Sequence, residues 1–249
     1  MKIKKPIVHS YFLCYNEQYI LPHLLKHYSK FCEKIHIIDN MSTDNSVEIV
    51  NSFTNTEVIN YDSNQEVRDD IYLDIKNNIW KKSIGVADYV IVGDADEFLY
   101  HKDMVKFLTE SFINGVTLFK PEGYHMIGDE DLTLNSDDNI FEKVTEGIIG
   151  SSNDKLMLFD CNKIEQINYN FGCHTANPMG QVVLSNDKNL KMLHYKYLGL
   201  SDFIPKQKLR GDRLSKFNKN NNLGSYYLYD AQTHKNEYKT FIQKRIKVI

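Results

Sequence analysis

Cysteine, proline and tryptophan are scarce in this chain of 249 residues, which has four cysteines, five prolines and one tryptophan. The cysteines form no CxxC pair and have no spacing typical of zinc, which excludes a disulfide framework and predicts a reduced, cytosolic protein. Twelve glycines without a low-complexity stretch exclude a collagen-like chain. No apolar run reaches the roughly 18 residues that a membrane span needs, so no transmembrane helix is predicted.

Charge is distributed unevenly along a chain whose composition is otherwise that of a globular protein. Hydrophobic residues make up 42% of the sequence and charged residues 25%, and the length suits one domain. From Leu200 onward, eleven Lys or Arg outnumber four Asp or Glu, a net charge of +7, whereas the preceding part carries −10. Such a basic end is typical of a solvated helix face, which we favour. It could also contact phosphates, polyanions or an anionic inner-membrane surface. No nucleic-acid partner is predicted.

Strand and helix patterns alternate four times in the first part of the chain. Apolar strands are predicted at residues 7–15, 35–38, 58–61 and 89–92, and the segments between them carry apolar residues at helical spacing. This alternation is typical of an α/β fold in which helices flank a mostly parallel, Rossmann-like sheet on both faces.

The remainder of the chain has a mixed pattern. A helix is predicted at residues 105–112, short strands at 116–119, 156–159, 182–184 and 191–195, and basic helices at 206–219 and from 237 onward. Residues 129–142 are turn-rich, with six carboxylates and no basic residue.

Three carboxylates, Asp94, Asp96 and Glu97, directly follow a strongly apolar predicted strand. Ligands of α/β sheets bind beyond the carboxyl ends of the strands, and buried carboxylates at such an edge need a neutralising partner. Asp94 and Asp96 are two residues apart, so both can face one cation, and oxygen ligands suit Mg²⁺ or Mn²⁺. We predict a metal site that holds nucleotide phosphates. The alternative is an acidic surface turn that caps the next helix.

Asp39 and Asn40 end the second predicted strand at the same edge of the sheet. A carboxylate at this place can accept hydrogen bonds from a base or a ribose. The alternative is turn chemistry, since residues 42–46 (STDNS) are rich in helix N-cap types. The residues alone leave both interpretations open.

Five short motifs, in this order and spacing, resemble those of family 2 glycosyltransferases with the GT-A fold. They are residues 15–17 (YNE), 39–44 (DNMSTD) and 94–98 (DADEF), then residues 172–178 (GCHTANP) and 193–199 (LHYKYLG), which resemble the bacterial family 2-like branch. The likeness covers about residues 7–215. It implies a GT-A-like α/β fold with a mixed, acceptor-facing C-terminal half. A single domain, 1–249, would then comprise a nucleotide-sugar-binding half (1–120), an acceptor and metal-completing half (121–205) and a basic helical tail (206–249).

The resemblance implies which residues bind the nucleotide sugar. Tyr15, Asn16 and Glu17 would lie beside the base and the ribose. Asp39 would face the base, which is commonly uracil in related enzymes. Lys196 would contact the diphosphate.

The same resemblance implies a Mn²⁺ or Mg²⁺ site. Asp96 would bind the metal directly, and Asp94 would approach the ribose or a metal-bound water. A histidine of the second half would complete the site, with His194 as the first choice and His174 as the second.

No motif marks the base that would accept the proton of the acceptor hydroxyl. The candidates are four acidic residues in the segment where such enzymes receive the acceptor, namely Glu122, Asp129, Glu130 and Asp131.

Three further positions carry separate expectations. Arg68 and Lys76 lie between the third and fourth predicted strands, where contact with a base or phosphate is possible although solvent exposure is favoured. Met41 stands where related enzymes commonly have glycine, which predicts a less tight turn.

Together these features predict a hexosyltransferase that moves a sugar from a nucleotide sugar to a hydroxyl of a glycan or lipid-linked glycan. By resemblance the donor is a UDP-sugar and the setting is bacterial surface polysaccharide synthesis. A phosphatase of the haloacid dehalogenase type also uses a strand followed by DxD, but its first Asp lies near the chain start. The other alternative is a degenerate GT-A fold that binds sugar nucleotide or glycan without turnover.

Overall fold

The structure is a computed structural model that describes residues 4–150 and 154–249. Strands and helices alternate in the first part, in the order β1 (Val8–Cys14), α1 (Leu21–Tyr28), β2 (Lys34–Asp39), α2 (Ser46–Asn51), β3 (Thr56–Asn60), α3 (Asp69–Asn78), β4 (Tyr89–Asp94), β5 (Glu97–Tyr100), α4 (Met104–Ile113) and β6 (Leu118–Phe119). The predicted alternation is therefore confirmed.

The second part contains shorter elements. They are β7 (Glu122–Ile127), α5 (Ile140–Lys143), β8 (Glu146–Ile149), β9 (Leu158–Asp160), β10 (Ile164–Gln166), β11 (Met179–Gly180), β12 (Lys191–Tyr197), α6 (Leu200–Asp212), α7 (Lys216–Asn220), α8 (Ala231–Lys244) and β13 (Ile246–Lys247). Among the described residues, no helix has both the length and the apolar character that crossing a bilayer requires.

A six-stranded sheet with the order β3-β2-β1-β4-β9-β6 forms the centre of the fold. β1 pairs in parallel with both β2 and β4, and β2 pairs in parallel with β3. β9 joins antiparallel to β4. The predicted α/β class, with a mostly parallel sheet flanked by helices, is thus confirmed.

A second, mixed sheet has the order β13-β8-β7-β12-β5. The turn between β4 and β5 carries the chain from the first sheet to the second, and β12 pairs with β5 so that His194 is opposite Glu97. β5, β7 and β8 were not predicted from the sequence, although they form the sheet that brings β12 to the DADEF turn.

Both faces of the central sheet are covered, as predicted. Alternate residues of β1 belong to two separate buried clusters: Phe12 contributes to one, with residues of α1, and Tyr11 to the other, with Trp80. Every residue of β1 is buried, including the polar His9 and Ser10 near its start, and the residues from Tyr11 to Cys14 pack into these two clusters.

Three predictions about the second part are wrong. The helix predicted from residue 237 onward is α8, which begins six residues earlier and ends at Lys244, before β13. Residues 182–184 form only an isolated bridge, between Leu184 and Leu118, and their side chains are exposed. The helix predicted at residues 206–219 is instead divided into α6 and α7, and α6 begins six residues earlier, at Leu200. Gly199 precedes it with φ +94° and donates its N–H to the Tyr238 hydroxyl at 2.7 Å, which sets the helix start.

The turn after β2 is tighter than the sequence predicts. Met41 adopts φ +56°, the left-handed region that glycine favours, and its side chain is 46% exposed. Met41 thus adopts a glycine-like backbone conformation although its side chain is not buried, and the expectation of a looser turn is wrong.

We expect Met41→Gly to stabilise the protein by about 0.5–1 kcal/mol. The left-handed conformation costs a residue with a Cβ atom about 1–2 kcal/mol, and the greater chain entropy of unfolded glycine offsets part of that gain. Urea unfolding would measure the change. Met41→Ala is the matched control, because it shortens the side chain and keeps the strain. A glycine variant no more stable than the alanine variant would contradict the expectation.

Candidate functional site

A cavity of about 390 Å³ opens at the carboxyl ends of β1 and β4. The chain leaves β1 towards β2 and β3 on one side and returns to β4 on the other, so the strand order reverses at this place. Open α/β sheets bind ligands at such a switch point because the diverging connections leave a crevice. The ends of β1 and β4, together with α3, β12, α6 and residues 222–227, line the cavity.

Hydrogen bonds fix the loop after β1 against the loop after β2. The Asn16 side-chain oxygen accepts the Thr43 N–H at 2.7 Å, and the Asn16 N–H donates to Ser42 Oγ at 2.9 Å. The Glu17 N–H donates to Ser46 Oγ at 2.9 Å. The STDNS segment therefore joins the two loops, whereas the N-cap residue of α2, Asn45, makes no side-chain capping bond.

Lysines neutralise the first and last carboxylates of the DADEF turn, Asp94 and Glu97. Lys76 Nζ of α3 lies 2.6 Å from Asp94 Oδ1, and Lys155 Nζ lies 3.7 Å from Asp94 Oδ2 and 2.5 Å from Glu97 Oε1. Burial alone raises the pKa of Asp94, but Lys76 and Lys155 outweigh it and hold that pKa below its usual range. Glu97 and both lysines are buried, so these pairs belong to the interior.

Arg210 of α6 bridges the other two carboxylates. Its Nη2 lies 3.3 Å from Asp96 Oδ2 and 3.4 Å from Glu17 Oε1, and Lys206 Nζ lies 2.8 Å from Glu17 Oε2. His194 Nε2 is 3.4 Å from Asp96 Oδ2. Burial raises the pKa of Asp96, but His194 and Arg210 hold it well below its usual range.

Aromatic side chains form one end of the cavity. The Arg213 guanidinium carbon lies 3.2 Å from the centroid of the Tyr15 ring, and its Nε donates to the Gln65 carbonyl. Arg213 Nη2 is buried without a hydrogen-bond partner. Tyr61 and Tyr72 also line the cavity near Arg213, so this surface is aromatic and cationic. A heterocyclic base suits such a surface, because it can stack on a tyrosine or a guanidinium plane.

Lys196 lines the cavity without pairing to an acid. Its Nζ lies 4.7 Å from the Tyr226 ring centroid, and within the described ranges it forms no ion pair with a carboxylate. Burial and the neighbouring Arg210 lower the pKa of Lys196 to about 8. A cation held in this way is costly unless an anion joins it, so Lys196 marks an anion position.

Many of the predicted residues come together at this cavity, although their chemical roles remain predictions. Those that line it are Tyr15, Asn16, Glu17, Asp94, Asp96, His174, His194 and Lys196. They come from four separate segments of the sequence, which the two sheets bring to one edge.

Asp39 and Arg68 do not line the cavity. The Asp39 oxygens accept the Ser42 N–H at 2.9 Å and the Ser42 hydroxyl at 2.5 Å, so its carboxylate closes the turn. Arg68 forms a bidentate salt bridge with Asp70, with Nη2 2.6 Å from Asp70 Oδ2. The nucleotide contacts expected of these two residues therefore stay predictions.

The predicted proton acceptors also lie away from the cavity. Glu122 accepts the Tyr124 hydroxyl at 2.5 Å, Asp129 pairs with Arg245 at 2.8 Å, and Glu130 and Asp131 lie in the loop after β7. Among the described carboxylates of the cavity, Asp69 alone forms no ion pair; it accepts the Asn218 amide at 3.0 Å. Asp69 is thus available to accept a hydrogen bond from a ligand hydroxyl.

Apart from Lys196, the cations of the cavity are residues that the sequence interpretation missed. Lys76 was expected to be exposed, yet it is 5% exposed and paired with Asp94. Lys206, Arg210 and Arg213 belong to the basic end that we interpreted as a solvated face. Their spacing in the sequence could have indicated this, because residues four and three positions apart lie on one face of a helix.

The described residues do not fit a resident Mn²⁺ or Mg²⁺. Four carboxylates, Glu17, Asp94, Asp96 and Glu97, face four cations, Lys76, Lys155, Lys206 and Arg210, so the acidic cluster is already neutral. Within residues 4–150 and 154–249, no three His, Cys, Asp or Glu side chains converge to hold a metal ion. A dication here would add two charges beside fixed lysines and arginine, so the predicted metal ligation is not supported by this donor set.

No protein-family model matches the sequence, and no curated protein matches it. Similar solved structures include S. aureus TarS 1–349, at 14% identity and a TM-score of 0.46 over 83% of this chain and 65% of that chain. TarS 1–349 in complex with UDP-GlcNAc has 14% identity and a TM-score of 0.44, over 83% and 66% of the two chains. A longer TarS structure has 13% identity and a TM-score of 0.47, over 83% and 39%. This chain thus spans less than two thirds of each TarS chain, and a likeness so distant supports no functional argument.

Proposed function

We propose that this protein is a glycosyltransferase that moves a sugar from a nucleotide-sugar donor to a hydroxyl of a glycan acceptor. The observation that carries the proposal is the composition of the switch-point cavity. A tyrosine–arginine surface suited to a base lies at one end, and the cations Lys196 and Arg210 lie in the same cavity. The order of the YNE, DADEF and HYKYLG motifs supports the same interpretation, and its resemblance favours a UDP-sugar and a bacterial polysaccharide or lipid-linked acceptor.

The chain itself would supply orientation and charge stabilisation. Negative charge develops on the departing diphosphate during sugar transfer, and fixed cations stabilise this charge in a partly buried site. Arg210 is held in place by Glu17 and Asp96, so it needs little reorganisation to act. Asp69 would accept a hydrogen bond from a hydroxyl of the donor or acceptor.

Membrane contact is not part of the proposal. Of the eleven basic residues from Leu200 onward, Lys206, Arg210 and Arg213 line the cavity. These three residues therefore belong to the cavity, and fewer basic residues remain for the membrane-docking surface that the net charge suggested.

The test is thermal unfolding with UDP, GDP, CDP and TDP, followed by release of free nucleotide from the matching nucleotide sugar. A ligand at about a hundred times its Kd adds roughly 2.7 kcal/mol, which raises the Tm by several degrees. Asp96→Asn should abolish turnover, because it uncouples Arg210 and His194 from their shared carboxylate. The matched control Asp137→Asn, at an exposed position away from the cavity, should retain it.

One nucleotide that stabilises the protein, together with turnover of its sugar, would establish the donor class. Binding without any turnover, in the presence of candidate glycan acceptors, would favour the degenerate-fold alternative. Stabilisation by none of the four nucleotides would contradict the proposal.

A further inference from the structure

The charges of the cavity differ from those expected for a metal-assisted donor site. Each carboxylate of the acidic cluster, Glu17, Asp94, Asp96 and Glu97, already contacts a lysine or an arginine from a distant part of the chain. These contacts are at 2.5–3.3 Å for the nearest partner of each, so they are direct pairs. The cluster therefore attracts a further cation only weakly.

The surplus charge in the cavity is positive. Lys196 and Arg213 line it and form no ion pair with a described carboxylate. Among the described carboxylates of the cavity, only Asp69 forms no ion pair. Arg213 also has a buried Nη2 without a hydrogen-bond partner. Both cations are partly buried and lack a carboxylate partner, which is costly, so the cavity favours an anion over a further cation.

Two of the cations contact the same pair of tyrosines. Lys196 Nζ lies 4.7 Å from the Tyr226 ring and the Arg210 guanidinium carbon 5.8 Å from the Tyr227 ring, and these rings are 4.3 Å apart. The tyrosines therefore hold an ammonium and a guanidinium on one side of the cavity. A diphosphate carries enough oxygen acceptors to engage both at once.

We propose that Lys196 and Arg210 bind the diphosphate of the donor directly, and that donor binding needs no divalent cation. This inference rests on the proposed function, because it concerns the phosphates of the same donor. It also accounts for the acidic DADEF turn: Asp96 and Glu17 position Arg210, so Asp96 acts here as a positioning residue.

The test is calorimetric titration of the wild-type protein with UDP, GDP, CDP and TDP, and with inorganic pyrophosphate as a base-independent probe. Each titration is done once in EDTA and once with Mg²⁺ or Mn²⁺. We expect the best nucleotide to bind in EDTA with a Kd within about threefold of its value with metal. Lys196→Met should weaken that binding at least tenfold, whereas Lys196→Arg should restore most of it.

Lys239→Met, at an exposed position of α8, is the matched control and should leave the Kd unchanged. Unfolding midpoints establish that each variant is folded. Nucleotide binding that occurs only with Mg²⁺ or Mn²⁺ would overturn this inference and leave the proposed function standing. An unchanged Kd in Lys196→Met would also overturn it. Failure of all four nucleotides under both conditions would overturn the proposed function, and this inference with it.

Discussion

Lys155→Met is expected to cost the protein about 3–5 kcal/mol of unfolding free energy, one of the largest effects of any single substitution here. Lys155 Nζ lies 2.5 Å from Glu97 Oε1, and Glu97 is fully buried. Removing one partner of a buried pair leaves the other charge without compensation, and this loss is larger than the net contribution of the intact pair. Urea unfolding at neutral pH would measure the change.

A double-mutant cycle distinguishes this cause from a simple packing defect. Adding Glu97→Gln to Lys155→Met removes the uncompensated charge and keeps an oxygen that can accept the Asp94 N–H, a bond of 3.1 Å in the wild type. The double variant should recover about 2 kcal/mol or more. Lys163→Met, at an exposed position, should change stability by no more than about 0.5 kcal/mol. Additive losses in the double variant would contradict the pairing account.

Arg210→Ala is expected to give the protein a response to Mn²⁺ that the wild type lacks. The guanidinium stands between Glu17 and Asp96, with His194 Nε2 3.4 Å from the same Asp96 oxygen. Its removal leaves Asp96 beside the His194 imidazole without a fixed cation, and leaves Glu17 with Lys206 alone, so a carboxylate and an imidazole become free to bind Mn²⁺, for which they are suitable ligands. Turnover should fall about 10²–10³-fold, as when one fixed donor to a developing anion is lost.

Thermal unfolding with and without Mn²⁺ would measure this gain. The midpoint of Arg210→Ala should rise by several degrees once Mn²⁺ is well above its Kd, while the wild type should not respond. Arg213→Ala is the matched control, because Arg213 forms no ion pair with a described carboxylate and its removal frees no ligand. A wild type stabilised by Mn²⁺ as strongly as the Arg210 variant would show that the guanidinium does not exclude the metal.

The sequence predicts the acidic part of the site well, for a local reason. Asp94 and Asp96 follow a buried apolar strand directly, and parallel strands end at the same edge of a sheet. The position of Glu17 follows equally from the end of β1. The positions of these acidic residues can therefore be predicted from the strand pattern and the few residues that follow each strand.

The cations that neutralise these acids could not be predicted in the same way. Lys155 lies in a loop without periodicity, 58 positions after Glu97 in the sequence, and Arg210 lies 114 positions after Asp96. Lys76 is beside an apolar helical stripe, where a lysine is ordinarily exposed. The second sheet and the packing of α6 set these contacts, and neither has a local pattern. The structure does not support the metal prediction, because that prediction considered the acidic residues without the lysines and the arginine that pair with them.

For Asp39 the resemblance and the local sequence predict different roles. The sequence left open a base contact or a turn, and the resemblance favoured the base. In the structure Ser42 supplies both hydrogen bonds that the carboxylate accepts at close range. A serine three positions after an aspartate is a typical turn pattern, so the local sequence predicts these hydrogen bonds, whereas the base contact stays a prediction.

The most direct test of the account is a crystal structure of the wild-type protein with UDP, grown in EDTA. We expect the base to lie against Tyr15 and Arg213 and the diphosphate between Lys196 and Arg210, with Arg210 still bridging Glu17 and Asp96. A nucleotide bound outside the switch-point cavity would contradict the proposed function. A diphosphate in the cavity that contacts neither Lys196 nor Arg210 would contradict the cationic donor site.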